Sequence, residues 1–149
     1  MISALSRAGA VFENPSYIKA AKNSADFILE NLMDEEGKLL KSYRNGPSDI
    51  NAMIEDYAFF IWGLIELYQA TFNSDYIDNA LFLSNYQKEH FWDAKDGAFF
   101  FTSNTAKELL IRNKEIYDGA IPSGNSVSAY NYIRLSRMLS KPEFEDISH

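Results

Sequence analysis

No cysteine occurs among the 149 residues, and histidine appears only twice, at His90 and His149. The first absence excludes a disulfide framework, a thiolate metal site, a CxxC redox pair and a cysteine nucleophile. So few histidines leave little room for a His-rich metal centre, and no metal or cofactor is assigned. Basic residues are also outnumbered, 14 Lys and Arg against 21 Asp and Glu, for a net charge of −7. Without a Lys/Arg-dense stripe to neutralise phosphates, the sequence argues against nucleic acid as a partner. Long apolar runs are missing as well. The most apolar stretch, Tyr57 to Tyr68, contains Glu66 and would reach only about 18 Å as a helix, short of a bilayer. The first twelve residues carry no basic segment ahead of an apolar one, so no targeting signal and no membrane partner is read, and a cytoplasmic location is the default.

What is present points to a folded core. Hydrophobic residues make up 46% and aromatic residues 15% of the chain, a composition that disfavours disorder and fits one domain over residues 1–149. An internal repeat organises it. Phe12-Glu-Asn-Pro-Ser-Tyr-Ile18 reads against Phe72-Asn-Ser-Asp-Tyr-Ile77, and Leu32-Met-Asp34 against Phe91-Trp-Asp93, with Tyr17 to Tyr76 and Asp34 to Asp93 both offset by 59. A third copy starts where Leu135-Ser-Arg137 matches Leu5-Ser-Arg7 and runs through Phe144. Such self-similarity marks a helical array.

Each copy holds two helices of different character. Tyr57 to Tyr68 is apolar nearly all round, the mark of a helix buried on most sides. Tyr17, Ala21, Ala25, Ile28, Leu29 and Leu32, and in the next copy Tyr76, Ala80, Leu83, Gln87 and Phe91, form one-sided stripes at helical spacing. Asn14-Pro15 and Asn73 or Ser74 supply start signals. Inner helix, short turn, outer helix and long return describe an all-α fold: about two and a half hairpins of an (α/α) toroid. The repeat of about 60 residues exceeds the roughly 34–47 of common helical solenoids. The returns are expected to carry short β-hairpin insertions: a strand over Gly37 to Arg44, and a hairpin of Gly97–Thr102 with Leu109–Arg112.

Parallel inner helices would bring their starts to one rim, where unpaired N–H groups favour carboxylate, phosphate or sugar oxygens. Three segments are expected there: the residues before Ser3, Asp49 to Tyr57, and Glu115 to Ser126. Glu55 and Asp56 are adjacent, so they point in different directions; each reads as a first-turn charge or as a cleft carboxylate. Glu115 and Asp118 could supply a carboxylate opposite, the arrangement glycoside hydrolysis uses. In Ile121-Pro-Ser-Gly-Asn-Ser126, Ser123 is a cap candidate, Gly124 permits close approach, and Asn125 and Ser126 would project into the rim. Arg44 reads either as an anion-binding group or as a surface ion-pair partner. His90 is placed at the end opposite the rim as a packing residue, and Phe59, Phe60 and Trp62 as core rather than a stacking platform. No phosphate loop, zinc spacing or nucleophile elbow occurs.

The strings Glu55-Asp-Tyr-Ala58, His90-Phe-Trp-Asp93, Gly97-Ala-Phe-Phe-Phe-Thr102 and Asp118-Gly-Ala-Ile-Pro-Ser-Gly-Asn-Ser126 resemble the thioredoxin-domain protein family related to spermatogenesis-associated protein 20. That resemblance implies a piece of the family's six-hairpin toroid, which is similar to those of N-acylglucosamine 2-epimerases and six-hairpin glycosidases. The family's thioredoxin-like portion and its cysteines have no counterpart here, and neither histidine matches an epimerase catalytic position, so no catalytic residue is assigned. Two functions follow: a segment of a carbohydrate-active toroid without autonomous catalysis, binding a small sugar-like ligand through Asp56, Glu55, Glu115, Asp118, Ser123, Asn125 and Arg44, or a non-catalytic scaffold or interaction module. Inner helices left uncovered at the edges, Met1–Val11 and Val127–Leu139, are expected to promote self-association.

Overall fold

A computed structural model describes residues 1–106 and 111–148. Its helices are α1 (Ile2–Val11), α2 (Pro15–Asn31), α3 (Ile54–Thr71), α4 (Ser74–Phe91) and α5 (Gly124–Leu139), followed by a 3-10 turn (Pro142–Phe144) and the single turn α6 (Glu145–Ser148). The class is all-α. None of these helices is long and apolar enough to cross a membrane.

The two kinds of helix fall into two layers. α3 is central and packs on α1, α2, α4 and α5; Ile54, Ala58, Ile61, Leu64, Ile65 and Leu67 are wholly buried around its circumference. On one flank Gly63 lies against Ile2 and Ser3, and Arg7 reaches Glu66 farther along. On the other, Gly124 abuts Ile54 and Glu55, while Arg134 reaches Glu66 and Gln69. Residue numbers rise together on both flanks, so α1, α3 and α5 run parallel. The amphipathic helices α2 and α4 return antiparallel behind them. All five stripe residues of α4 are buried, as are Ala21 and Ala25 of α2. Tyr17, assigned to the same stripe, is instead exposed, because Ile18 turns inward against Gly9 in its place. Tyr76 ties the outer helices together through its hydroxyl, which donates to Asp26 at 3.0 Å; burial and that carboxylate push its pKa up to about 12.

The repeat holds at the level of single hydrogen bonds. Asn14 accepts from the Ser16 N–H at 3.0 Å and Asn73 from the Asp75 N–H at 3.1 Å, each capping an outer helix. After each outer helix an aspartate turns the chain: Asp34 accepts from the N–H groups of Glu36 and Lys38, Asp93 from those of Lys95 and Asp96. Gly37 and Gly97 then take positive φ, +89° and +70°, a conformation that strains other residues. The three inner helices end alike, on or beside a left-handed residue: Glu13, Phe72 and Ser140.

The returns pair differently from the sequence reading. The first does form an interrupted antiparallel pairing, with bridges Leu40–Asn51 and Tyr43–Pro47. In the second, Leu109 and Leu110 of the proposed hairpin lie outside the described residues. Among the described residues the backbone bond between the two sides runs from the Phe101 N–H to the carbonyl of Asn113, one residue past the expected arm, at 2.7 Å. Side chains of the described residues hold the two sides together. The Arg112 guanidinium donates to the carbonyls of Thr102 and His90 and lies 4.1 Å from the Phe100 ring. The aromatic arm does pack on helices: Phe99 is buried against Trp92 and against Tyr132 of α5.

Candidate functional site

The starts of α3 and α5 meet at one end of the molecule. A Cβ on Gly124 would come within 2.9 Å of the Ile54 side chain and 3.1 Å of the Glu55 nitrogen, so the glycine serves the approach of two helices, not of a ligand. The start of α1 does not join them. Its first turn stands level with Gly63, the middle of α3, so the residues before Ser3 stand back from the joint of α3 and α5 and share with Asp56 only a separate groove. His90 corrects the sequence reading in the other direction. α4 runs antiparallel to α3, which brings its C-terminal end to the end where α3 begins; there the His90 ring packs tilted against Tyr86, 4.1 Å between centroids, and shares a 2.9 Å hydrogen bond with Asn104.

Most polar groups proposed for the rim are engaged with backbone. One carboxylate oxygen of Asp56 accepts from the Met53 N–H at 2.8 Å, closing the first turn of α3, and both oxygens accept from Lys41 at 2.9 and 2.8 Å. Asp118 accepts from the Ser123 N–H at 2.8 Å. That bond, with help from the Ser126 and Ser123 hydroxyls, holds its pKa below the usual carboxylate range. Ser123 caps α5 by accepting from the Ser126 N–H at 3.1 Å. Asn125 is a three-way clasp: its oxygen accepts from the Phe99 N–H at 2.6 Å, and its amide donates to the carbonyls of Phe99 and Glu115 at 2.9 and 2.8 Å. It thereby fastens the second return onto the start of α5.

Three candidates stand apart. The half-buried Glu55 carboxylate, at the joint of α3 and α5, makes no hydrogen bond or ion pair among the described residues. Glu115 is exposed and offers the site only its carbonyl. Arg44 is exposed on the turn closed by Tyr43 and Pro47, whose Tyr43 packs edge-on to Phe27 of α2. Its guanidinium has no ion-pair partner among the described residues. Beside Asn125 is a shallow cavity of about 370 Å³, lined by Trp92, Gly97, Phe99, Ile116 and Ser126.

No family model matches the chain. Curated relatives do. Human spermatogenesis-associated protein 20 is 33% identical over 156 aligned residues, covering 98% of this chain and 20% of its own length. The rat and mouse proteins of that name are 32% and 31% identical over the same shares. The chain is related to spermatogenesis-associated protein 20. It spans about a fifth of the length of the curated relatives it matches.

Within the stretch aligned to spermatogenesis-associated protein 20, two clusters escaped the sequence reading. Glu66, the lone charge in the apolar run of α3, is buried; it accepts from Arg134 of α5 at 2.8 Å and Trp62 at 3.1 Å, with Arg7 of α1 at 3.8 Å. One carboxylate thus joins all three inner helices. The sequence signal was available, since an acid buried in an apolar helix requires a cation. The second cluster is Lys114, which pairs with Asp93 at 2.6 Å and donates to the Gly97 carbonyl. It holds the Asp93 pKa below the usual range. Nothing in the spacing of Lys114 and Asp93 announced that pair.

Proposed function

We propose that the chain is a structural wall: about two and a half successive hairpins of an (α/α) toroid within a longer carbohydrate-enzyme-like protein, contributing no catalytic group of its own. One observation supports it above others. Asp56 and Asp118, the carboxylates proposed to face each other across a cleft, each accept a backbone N–H at or just before a helix start. In Asp118 that bond stabilises the charged form and makes the group a poor proton donor at neutral pH, while both oxygens of Asp56 are occupied by Lys41. Self-association through the flanks of α1 and α5 belongs to the same reading; Val11 and Phe12 at the end of α1 and Tyr130 on α5 are exposed. Sedimentation at rising concentration measures it, and a monomer throughout would remove that part.

A second reading keeps a small sugar-like ligand at the mouth. Its support is the Glu55 carboxylate, without a partner among the described residues, beside two helix starts, together with the cavity next to Asn125 and Trp92. A thermal-shift screen of sugars and sugar phosphates separates the two. A ligand at a hundredfold excess over its Kd stabilises by about 2.7 kcal/mol, so the wall predicts unmoved melting curves, whereas a saturable shift abolished by Glu55→Gln would establish the ligand site.

A further inference from the structure

The tip of the first return is Tyr43-Arg44-Asn45-Gly46-Pro47. Asn45 and Gly46 both take positive φ, +58° and +143°, and they are the residue types that such turns favour. The flanks close the turn. Tyr43 pairs with Pro47, the Arg44 N–H donates to the Gly46 carbonyl at 2.8 Å, and the Ser48 N–H donates to the Ser42 carbonyl at 2.9 Å. Neither the Asn45 side chain nor the Gly46 N–H has a hydrogen-bond partner among the described residues. Asn45 is exposed, and a Cβ on Gly46 would meet nothing within 4 Å. An asparagine amide thus lies in the open beside a peptide nitrogen that no side chain shields. Elsewhere Asn23, Asn73 and Asn125 each precede a serine, and each is held. Asn23 and Ser24 lie within α2, where helical bonds fix the following N–H. Asn73 commits its side-chain oxygen to the Asp75 N–H. Asn125 has both ends of its amide bonded, and the Ser126 N–H is taken by Ser123.

We propose that Asn45 is a self-modification site, at which the folded chain converts its own asparagine into aspartyl and isoaspartyl residues. The Gly46 nitrogen gives its proton to hydroxide and attacks Asn45 Cγ. The N–Cγ bond forms, the Cγ–Nδ2 bond breaks, and the departing nitrogen takes a proton from water and leaves as ammonia. Water then opens the cyclic imide. Cleavage of the new N–Cγ bond gives aspartate. Cleavage of the original peptide bond leaves the main chain running through the side chain, longer by a methylene. Nothing is oxidised or reduced, and water is the sole co-reactant. Both products place a new carboxylate beside the exposed Arg44, but they differ in the turn. Aspartate keeps the backbone and the bond from Arg44 to Gly46. The lengthened isoaspartyl chain moves Pro47 out of register with Tyr43 and breaks that bond, freeing the tip that Tyr43 anchors on Phe27. Conversion therefore records the age of the molecule and, in its isoaspartyl form, loosens the first return. The inference rests on this turn alone and is independent of the rim carboxylates.

The test incubates the whole folded chain at neutral and mildly alkaline pH and follows its peptides by mass spectrometry after digestion. Isoaspartyl methyltransferase with a labelled methyl donor is the probe for the lengthened product. The peptide containing Asn45 is expected to gain the mass that separates a carboxylate from an amide, faster as the pH rises and within severalfold of its rate in the urea-denatured chain. Asn23, Asn73 and Asn125 should convert measurably only in urea. Asn45→Gly retains a residue suited to positive φ and has no amide to cyclise, so its turn should take up no methyl label. Freshly prepared Asn45→Asp stands for the aspartyl product: hydrogen exchange of the Arg44 and Ser48 amides should match the parent there and quicken in the isoaspartyl fraction. An Asn45 that stays intact in the folded chain while converting in urea overturns the proposal, as does earlier conversion at any of the other three asparagines. Unchanged exchange in the isoaspartyl fraction overturns the loosening of the return.

Discussion

Replacing Asn125 with alanine separates a clasp from a ligand group. The side chain makes three hydrogen bonds, two to the backbone of Phe99 and one to the carbonyl of Glu115, and Phe99 is 2% exposed. At about 0.5–1.5 kcal/mol each, the three bonds are worth about 1.5–4.5 kcal/mol, and about 3 kcal/mol is expected because the truncation strands the Phe99 amide away from water. For a chain near 150 residues each kcal/mol moves Tm by about 2–4 °C, so Asn125→Ala should melt about 6–12 °C lower. Glu115→Ala is the internal control: only its carbonyl is used, so the substitution should stay within about 0.5 kcal/mol. Chemical denaturation of both variants and of the double variant checks the arithmetic, because the clasp predicts additivity. An Asn125→Ala variant as stable as the parent would refute the reasoning.

Three further perturbations test other joints. Tyr57→Phe removes the hydroxyl that accepts from the buried Leu39 N–H at 2.7 Å and should cost about 1–3 kcal/mol in denaturant unfolding; an unchanged midpoint would mean that the first return is held elsewhere. Glu66→Ala leaves Arg134, only 14% exposed at its side chain, without its carboxylate, and a loss of about 3 kcal/mol is expected. Lys114→Met acts through pH. Asp93 is held below the usual carboxylate range first by Lys114 and then by backbone N–H groups, so its stabilisation is complete above about pH 4 and fades as the pH falls through its lower folded value. The variant should therefore be less stable at neutral pH and lose stability less steeply on acidification, measured by denaturant titrations at stepped pH.

The order of helices was readable because the repeat fixes caps, turns and stripes together. Asn14 and Asn73, Asp34 and Asp93, Gly37 and Gly97 recur at an offset of 59 or 60 and perform the same local task in each copy. What periodicity could not deliver was the partner of each polar group. Asp56 and Asp118 presented the right residue type near a rim, yet whether a carboxylate faces a cleft or a backbone N–H depends on the return that reaches it, through Lys41 in one case and Ser123 in the other. The end occupied by His90 was misjudged because antiparallel outer helices finish where inner helices begin. In the second return the described residues are fastened by Arg112 and Lys114, which β-propensity does not weigh.

The claim that rim carboxylates serve helix ends meets its most direct test in the carboxyl resonance of Asp118. Its proton titration would be followed by side-chain carboxyl carbon NMR in the chain alone and with saturating hexoses and hexose phosphates. A titration below the ordinary carboxylate value, unmoved by any sugar, is the predicted result. An ordinary titration in the free chain, or one displaced on adding a sugar, would contradict it.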